Sequence, residues 1–421
     1  MKCPKKIRAG ALQFVLFIGA VVAILLMGFV LISHSHTFFG KRTDITVSVI
    51  QRADFGLRYA FQKGMEDSSV LEVPLEEKFG IETRVEKEHW GLFEKYTSKA
   101  QHKNTEFTKT ALVGNGTGNG SPALYLTDRQ RPLIIAGSAK ITGDAYLPSQ
   151  GIRMGNISGN SYRYGRLLHG DRKESGPEIP EMAAETKRGI TDLLENFQGK
   201  GNAVMFERDL KVRNSFLSPT KHINGRTLRL EGASLIGNII IAASEKIIVG
   251  PSATLRDVIL IAPEIVIEDG VKGSFQAFAD TYISVGKRCE LSYPTALVVS
   301  ERNRGTGQGK GIGPNLHVDS GSAVNGVLAY LDGSEKQTYF PQIMVSEGAT
   351  VRGEIYCTEN LELKGSVIGS VVTNGFIALE NGSIYQNHLY NGTIDGNALP
   401  KEYVGLVAGK ERTKKVVKWL Y

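Results

Sequence analysis

Cysteine is scarce in this chain, which has three among 421 residues. Cys3 stands before the first apolar run, so one disulfide at most, between Cys289 and Cys357, is available to the rest of the chain. A single pair does not make the disulfide framework of a small secreted domain, and it does not identify the compartment. The body must therefore be stabilised by a packed core, for which 41% hydrophobic residues are ample.

The body of the chain also lacks an excess of positive charge, although the net charge of the whole chain is +7. Residues 1–8 carry four basic residues and no acidic one, and residues 410–418 carry five basic residues and one acidic one. Subtracting these eight net charges leaves −1 on the remainder. The phosphates of nucleic acids bind to basic protein surfaces. A nearly neutral body therefore disfavours nucleic-acid binding, and we expect no nucleic-acid partner.

Nucleotide and metal motifs are missing from the sequence. A phosphate-binding loop around GTGQGKGIG would need glycine at position 304 and serine or threonine at position 311, where Arg304 and Gly311 stand. GNGTGNG has Asn119 in place of the last glycine of a dinucleotide-binding motif, so both segments are interpreted as loops. No cysteine or acidic cluster accompanies His34 and His36, which are interpreted as interfacial residues. We predict no catalytic, cofactor-binding or metal-binding residues.

A long hydrophobic run follows the basic leader of residues 1–10. Residues 11–32 contain no charge and only Gln13 as a strongly polar side chain, and a helix of this length crosses a ~30 Å hydrocarbon core. A cleaved signal peptide is the alternative, but its apolar core is about 7–15 residues long and ends at a small-x-small site, which ISHSHTFF lacks. We predict a transmembrane helix over 11–33, with the lipid bilayer as its partner.

Residues 34–66 continue with an apolar residue at every fourth position. A four-residue period predicts an amphipathic helical stalk, although the period-two alternation of TDITVSVI leaves a strand open for its first half. The residues that form this predicted apolar face are Ile45, Val49, Ala53, Leu57 and Phe61.

The basic leader, the apolar helix after Gly10 and the amphipathic continuation resemble the N-terminal region of pilin-like proteins, most of all the minor pseudopilins. In that family a glycine precedes the cleaved bond, and a glutamate usually follows at the fifth mature position. Gly10 matches the first feature, while Val15 stands where the glutamate would be. A plain signal anchor is the alternative interpretation.

From about residue 67 short β-type runs alternate with glycine, asparagine, proline and aspartate, which predicts a mainly β body. We divide it into a β-rich segment over 67–130, early coils over 131–222 with a helical insertion at 178–198, and a parallel β-helix over 223–390. Apolar residues recur every six positions in two arrays within the last segment. The arrays are Val249, Leu255, Ile261 and Ile267, and Val345, Val351, Cys357 and Leu363.

The cadence of short strands after G-N and G-S turns, as in LEGASLIGNIIIAASEKIIVGPSATLRDVILIAPEIVIEDGV, resembles the bactofilin family of polymer-forming bacterial β-helix proteins. The likeness covers about 223–385 and implies a parallel β-helix with self-association or protein partners. The segments 301–323 and 336–342 are expected to be loops pushed out of the stack. Residues 391–421 end in a basic-aromatic run that predicts either a cap on the open end of the β-helix or an interfacial tail.

The expected function is that of a non-enzymatic, membrane-anchored envelope scaffold or interaction protein, with a place in a pilus-like or secretion assembly. The four positive charges before the span against Lys41 and Arg42 after it favour a cytoplasmic N-terminus in the bacterial inner membrane and an exported, periplasmic body. The six-residue arrays also resemble those of acyltransferases built on left-handed β-helices, which use a histidine as general base, and His317 is the counterpart in this chain. The alternative function is that of a polysaccharide-active β-helix enzyme at the cell surface, with carboxylates from adjacent coils. Those carboxylates are Asp257, Glu264, Glu268, Asp269 and Asp280.

Overall fold

The fold is described from a computed structural model that divides the chain into two compact units. The first unit comprises 1–65, 70–86 and 98–109, and the second comprises 66–69, 87–97 and 110–421. The residues described are 10–66, 68–76, 78–116, 122–195, 202–301, 313–332, 339–406 and 413–420. Residues 1–9 of the predicted basic leader, and residues 302–312 and 336–338 of the predicted loops 301–323 and 336–342, lie outside these residues.

Two helices are present, α1 (Gly10–Lys63) and α2 (Ala184–Glu195). The strands, in chain order, are β1 (Val70–Glu76), β2 (Ile81–Trp90), β3 (Phe93–His102), β4 (Thr105–Gly116), β5 (Leu124–Leu126), β6 (Leu133–Ala136), β7 (Lys140–Thr142), β8 (Ala145–Leu147), β9 (Ile152–Met154), β10 (Asn156–Ile157), β11 (Asn160–Ser161), β12 (Arg172–Glu174), β13 (Asn202–Val204), β14 (Lys211–Asn214), β15 (Lys221–Leu230), β16 (Ser234–Gly237), β17 (Ile239–Val249), β18 (Thr254–Ile267), β19 (Lys272–Val285), β20 (Glu290–Glu301), β21 (Leu316–Val318), β22 (Ala323–Asp332), β23 (Ile343–Val345), β24 (Thr350–Leu363), β25 (Ser366–Glu380), β26 (Ser383–Gln386), β27 (His388–Tyr390), β28 (Thr393–Asp395), β29 (Val404–Gly405) and β30 (Thr413–Leu420).

The predicted transmembrane span and the predicted stalk are one continuous helix, α1, and the strand alternative for its middle is wrong. This helix is long and apolar enough to cross a membrane, and no residue of its most apolar window is buried. A membrane anchor and a signal sequence both have this length and composition. The large apolar side chains that α1 exposes include Leu16, Phe17, Ile24, Leu25 and Phe29.

The second part of α1 packs on antiparallel strands within the first unit. Val49 and Ala53 are buried with Ile81 of β2 and Ala100 of β3, and Ile45 lies partly buried beside them. Farther along the helix, Gly56 permits close approach, because a Cβ there would lie 2.5 Å from the Ser98 Oγ and 2.9 Å from the Thr83 Cγ2. The buried face therefore follows the predicted four-residue period at Val49, Ala53 and Leu57, whereas the last turn buries Ala60 and leaves the predicted Phe61 partly exposed, because a helix has 3.6 residues per turn.

The strands that follow form two main sheets. An antiparallel sheet has the order β1-β2-β3-β4-β29, and β30 also pairs with β4. A larger sheet, of which nearly all strand pairs are parallel, closes on itself and contains β5, β7, β8 and most strands from β12 to β28. The chain is therefore mainly β, as predicted, with one long apolar helix at its N-terminal end.

The parallel strands pair with a regular chain spacing. Lys246 of β17 lies opposite Glu264 of β18, and Glu264 lies opposite Tyr282 of β19, so each step is 18 residues (264 − 246 and 282 − 264). The spacing lengthens where the predicted loop 301–323 intervenes, since Ile283 of β19 lies opposite Leu316 of β21. The inward side chains form one buried core, which includes Ile247, Ile265, Ile283, Leu316, Ile343 and Leu361.

The segment predicted as early coils lies beside the last parallel strands. Leu124 of β5 pairs with Val371 of β25, and Ile141 of β7 pairs with Ile394 of β28. The strands that follow in the chain, β13 and β14, pair with β15 and β16 instead. The chain thus passes from one group of strands to the other through the segment that contains α2, which is shorter than the predicted 178–198.

The outer surface of the parallel sheet is apolar where other elements cover it. Ile190 and Leu194 of α2 are buried in a cluster with Ile259, Ile261 and Phe278 of the sheet. Because these strands are buried on both faces, their sequences are continuous hydrophobic runs such as VILIA and FQAFA. The elements that cover this face, α2 together with β2, β4 and β30, account for the departure from simple alternation of polar and apolar residues.

The C-terminal segment, predicted as a cap or tail, is built into the sheets. β28 continues the parallel sheet, and β30 pairs antiparallel with β4, where Trp419 lies opposite Ala111. Two of its basic residues are held by carboxylates, because the Lys418 Nζ lies 2.6 Å from Asp257 and the Lys414 Nζ lies 2.6 Å from Glu94. Cys289 and Cys357 are both buried free thiols, so the one disulfide that the sequence left open is not formed.

Candidate functional site

Three of the five carboxylates considered for glycan chemistry lie in separate ion pairs, whereas Asp280 of β19 is buried at 6% exposure. Glu264 lies 3.3 Å from the Lys246 Nζ, and Glu268 lies 2.9 Å from an Arg229 nitrogen. Asp257 is bound by Lys418. Charge pairing of this kind accounts for these acidic residues as surface features, and it leaves only Glu268 and the adjacent Asp269 beside a groove that also contains a histidine.

That histidine is His317, and it lies in a strand of the parallel sheet. The sequence placed His317 in a loop extruded over 301–323, whereas the structure places it at the centre of β21, opposite Ser284 of β19 and Met344 of β23. Leu316 and Val318 on either side point into the core with 0% exposure. Because side chains alternate along a strand, His317 faces outward.

The outward imidazole of His317 is bound to a serine. Its Nε2 lies 2.9 Å from the Ser346 Oγ. Ser346 follows β23 directly and begins the turn Ser-Glu-Gly-Ala, in which the Ala349 N–H donates to the Ser346 carbonyl and Gly348 has φ +77°. The neighbouring strands β21 and β23 therefore hold the two side chains at hydrogen-bonding distance from fixed backbone positions.

A groove of about 490 Å³ lies along this surface. Its walls come from the ends of β18 and β19 and from β21, so three successive parallel strands contribute to it. Glu268, Asp269 and Asp319 give the groove negative charge. The described residues that line it are Val266, Ile267, Glu268, Asp269, Ser284, Val285, Gly286, His317 and Asp319.

The environment of His317 favours the neutral imidazole. Burial lowers the pKa of His317 below its usual value, and the negative charges of Asp319 and Glu362 oppose that effect without reversing it. Glu362 is only 1% exposed; its Oε1 accepts from the Leu379 N–H and contacts the Lys364 Nζ at 3.1 Å, and its Oε2 has no hydrogen-bond partner. A neutral imidazole beside a hydroxyl can accept its proton.

A second cavity, of about 440 Å³, lies between α2 and the outer face of the parallel sheet. His89, Arg188 and Asp192 line it together with His222, whose Nδ1 is buried without a hydrogen-bond partner. Burial lowers the pKa of His222. Gly189 of α2 passes close to His89, since a Cβ there would lie 3.2 Å from the ring. The histidines and charged residues that line this cavity come from three elements, namely β2, α2 and β15.

Among the described residues no group of three or more histidines, cysteines or carboxylates could hold a metal ion. His34 and His36 lie exposed on α1. Comparison with protein-family models, with curated proteins and with solved structures finds no match for this chain. The function of the protein is therefore inferred from its own residues and their geometry.

Sequence reasoning singled out His317 but not Ser346. VGPSAT and VSEGAT are near copies at equivalent points of the two six-residue arrays, and this pattern gives Ser346 no distinct role. The two residues are 29 positions apart in the chain (346 − 317). Their contact depends on the register of β21 against β23. No local pattern in the sequence marks such a contact.

Proposed function

We propose that this protein is a membrane-anchored scaffold of the bacterial cell envelope, with α1 as its anchor and the parallel β body as an exported interaction surface. One observation carries the proposal: the first part of α1 exposes large apolar side chains, whereas the same helix buries Val49, Ala53 and Leu57 in its second part. A helix that stays apolar all round is stable in lipid, and one with a single apolar stripe is stable against a sheet.

The body is proposed to be a three-faced parallel β-helix that acts as a stiff rod. The 18-residue spacing between Lys246, Glu264 and Tyr282 supports this, because one coil of such a rod needs three short strands and three corners. Each coil contacts only its neighbours, so the stack forms a rigid surface without a deep central cavity. A bactofilin-like arrangement of this kind is suited to self-association or to binding another envelope protein.

The pilin-like part of the proposal is supported by the architecture of the first unit. There, α1 packs its second part on antiparallel strands through Val49, Ala53 and Ile81 and leaves its first part uncovered. An uncovered apolar helix can lie in a bilayer or against copies of itself. We therefore propose that the protein takes part in a pilus-like or secretion assembly.

A topology experiment tests the anchor. Alkaline phosphatase fused after the C-terminus should be active in bacterial cells, and the fusion should remain in the membrane fraction after a carbonate wash. A double substitution in the full chain, Ile24→Arg with Leu25→Arg, should release it from the membrane, since each charge at a helix centre costs about 2.5–3.5 kcal/mol on insertion scales. Replacing the exposed polar Thr37 by Arg is the matched control and should have no effect. An inactive fusion, or one that washes off, contradicts the proposal.

Cysteine crosslinking tests assembly through the helix. A single Leu16→Cys substitution in a Cys3→Ser background should give a crosslinked dimer on mild oxidation of intact membranes if α1 packs against its copies, because Cys289 and Cys357 are buried. Glu347→Cys, an exposed position on the body, is the comparison. Dimers at Glu347 alone would indicate association through the β body, and monomers at both positions would contradict self-association.

A further inference from the structure

We propose that Ser346 is the nucleophile of an ester-hydrolysing site on the outer face of the parallel sheet, with His317 as its general base. This activity goes beyond the scaffold role, and it differs from the non-enzymatic function expected from the sequence. It is also independent of the anchor, since both residues belong to the second unit.

The geometry is that of an activated serine. The Ser346 Oγ and the His317 Nε2 are 2.9 Å apart, within the 2.6–3.2 Å over which a base takes a proton from a nucleophile. Both side chains project from rigid positions, because Val318 pairs with Val345 and the Ser346 N–H donates to the Val318 carbonyl at 3.0 Å. The contact is therefore set by backbone hydrogen bonds and not by two flexible side chains meeting in solvent.

The charges around His317 suit a base that becomes cationic during the reaction. Asp319, which directly follows β21, and Glu362 on β24 act on the imidazole, and Glu268 and Asp269 line the same groove. Burial keeps the resting imidazole neutral, so it can accept the serine proton at neutral pH. The negative charges of Asp319 and Glu362 then favour the imidazolium electrostatically.

Donors for a developing oxyanion are present in the turn after the serine. Glu347 and Gly348 are exposed, and within the described part of the chain their N–H groups have no hydrogen-bond partner. Gly348 has φ +77°, a conformation that a glycine adopts without strain. Backbone N–H groups next to a nucleophile are the usual source of oxyanion stabilisation in acyl transfer.

The groove indicates the class of substrate. Glu268 is partly neutralised by Arg229, but Asp269 and Asp319 keep the groove acidic. An anionic substrate would be repelled there, whereas a neutral or cationic ester would not. His317 lines this groove of about 490 Å³, whereas Ser346 is not among its described lining residues, so the groove would hold the part of the ester that extends past His317. The charge of the groove thus favours esters of neutral or cationic alcohols.

The reaction proceeds in two balanced steps. The Ser346 Oγ attacks the ester carbonyl carbon while its proton passes to the His317 Nε2, the bond to the alcohol oxygen breaks, and the imidazolium returns the proton to the departing alkoxide. Water then attacks the acyl-serine and gives a proton to the His317 Nε2. The acyl bond to Ser346 breaks, the serine oxygen takes that proton back, and the carboxylic acid leaves. One ester and one water yield one acid and one alcohol.

The test uses the full chain purified in detergent, a fluorophosphonate probe and p-nitrophenyl acetate. The wild-type protein should bind one probe, at Ser346 by peptide mass spectrometry, and hydrolyse the ester above the buffer rate. Ser346→Ala should abolish labelling, and His317→Gln should lower the labelling and hydrolysis rates by about 10²–10⁴. Ser383→Ala, an exposed serine on β26, is the matched control and should leave both unchanged.

A pH profile separates catalysis from a structural role. The wild-type rate should rise with pH and reach half its plateau below pH 6.5, the ordinary pKa of histidine, because burial lowers the pKa of His317. Melting temperatures of all variants identify any loss of folding, and Ser346→Cys keeps a nucleophile of similar size at the same place. Labelling at another serine, absence of labelling in the folded wild-type protein, or an unchanged hydrolysis rate in Ser346→Ala would overturn the proposal. Any of these results leaves the anchor and the scaffold role untouched.

Discussion

At the scale of single residues, Glu354 shows what burial does to a charge in this body. The Glu354 carboxyl lies beneath the C-terminal segment and accepts a hydrogen bond from the Leu406 N–H. The hydroxyl of Tyr293 donates to the Val404 carbonyl at 2.8 Å, and that of Tyr403 donates to the Gly326 carbonyl at 3.0 Å. Burial raises the pKa of Glu354 to about 8, so the folded protein holds a proton that the unfolded chain releases near its ordinary pKa of 4.5.

We predict that the stability contributed by protonated Glu354 is lost as the pH rises from about 4.5 to about 8. Between these values the folded state binds more protons than the unfolded state, so unfolding becomes easier with each unit of pH. The contribution of Glu354 is on the order of a few kcal/mol. Glu354→Gln removes the titrating group and keeps an oxygen for the Leu406 N–H, so its melting temperature should change less between pH 5 and pH 8.

The control for this prediction is Glu347→Gln, which neutralises an exposed carboxyl. Its melting temperature should follow that of the wild-type protein across the same pH range. If Glu354→Gln and the wild-type protein lose the same stability between pH 5 and pH 8, the buried carboxyl is not the source of the pH dependence.

At the scale of elements, a column of glycines forms one corner of the parallel sheet. Gly326, Gly353 and Gly369 lie opposite one another on β22, β24 and β25, with φ values of +148°, +143° and +148°. A Cβ on Gly326 would overlap the carbonyl oxygen of Thr295, and one on Gly353 would overlap that of Gly326. Only glycine can turn the chain at this corner while the strands stay in register.

We predict that Gly326→Ala lowers the free energy of unfolding by more than about 2 kcal/mol, because it combines an unfavourable φ with a backbone overlap. Gly165→Ala is the matched control, since a Cβ there meets nothing within 4 Å. Urea denaturation followed by circular dichroism measures both variants. Equal midpoints for the two would show that the corner tolerates a side chain.

The lysines of the C-terminal strand β30 form ion pairs with other elements of the body. Its lysines give the segment the composition of an interfacial tail, yet Lys418 binds both oxygens of Asp257, at 2.6 and 2.7 Å. Asp257 itself has φ +59° and stands where the register of β18 shifts. Partly buried pairs of this kind orient an element more than they stabilise it. Lys414 and Lys418 therefore help to hold β30 in place against the body.

At the scale of the whole molecule, the order of strands in the parallel sheet differs from their order in the chain. β5 is the first parallel strand of the body in the chain, yet it pairs with β25, which is one of the last. The chain reaches the other group of strands through the segment with α2, whose side chains cover the outer face of the sheet. Covering a sheet edge with a strand removes unpaired N–H and C=O groups, which gives a reason for this placement.

We predict that Tyr125→Cys and Val372→Cys together form a disulfide under mild oxidation, because these residues are direct partners on β5 and β25. Partners in a sheet have Cα atoms within the range that a disulfide spans. The bond would close a loop of nearly 250 residues, so the oxidised protein should migrate faster on a denaturing gel without reductant. Each single-cysteine variant serves as a control and should not shift. Failure of the double variant to crosslink would contradict the strand order.

Several features of this protein were determined by local sequence. The long apolar helix and the buried face of Val49, Ala53 and Leu57 follow from residues within one or two helical turns of each other. The short strands of the body and the helical insertion follow from local alternation and turn residues. These patterns depend on the period of the side chains along one element, which the printed sequence displays directly.

Tertiary structure alone decided which elements meet. The contact of Ser346 with His317, the pairing of β5 with β25 and the burial of Glu354 under Leu406 all join residues that are distant in the chain. Register and strand order result from the packing of the whole core and from loops of variable length, and neither is encoded in the period of a single strand. The three cysteines show the same division: their scarcity excluded a disulfide framework, and the fold left Cys289 and Cys357 as separate buried thiols.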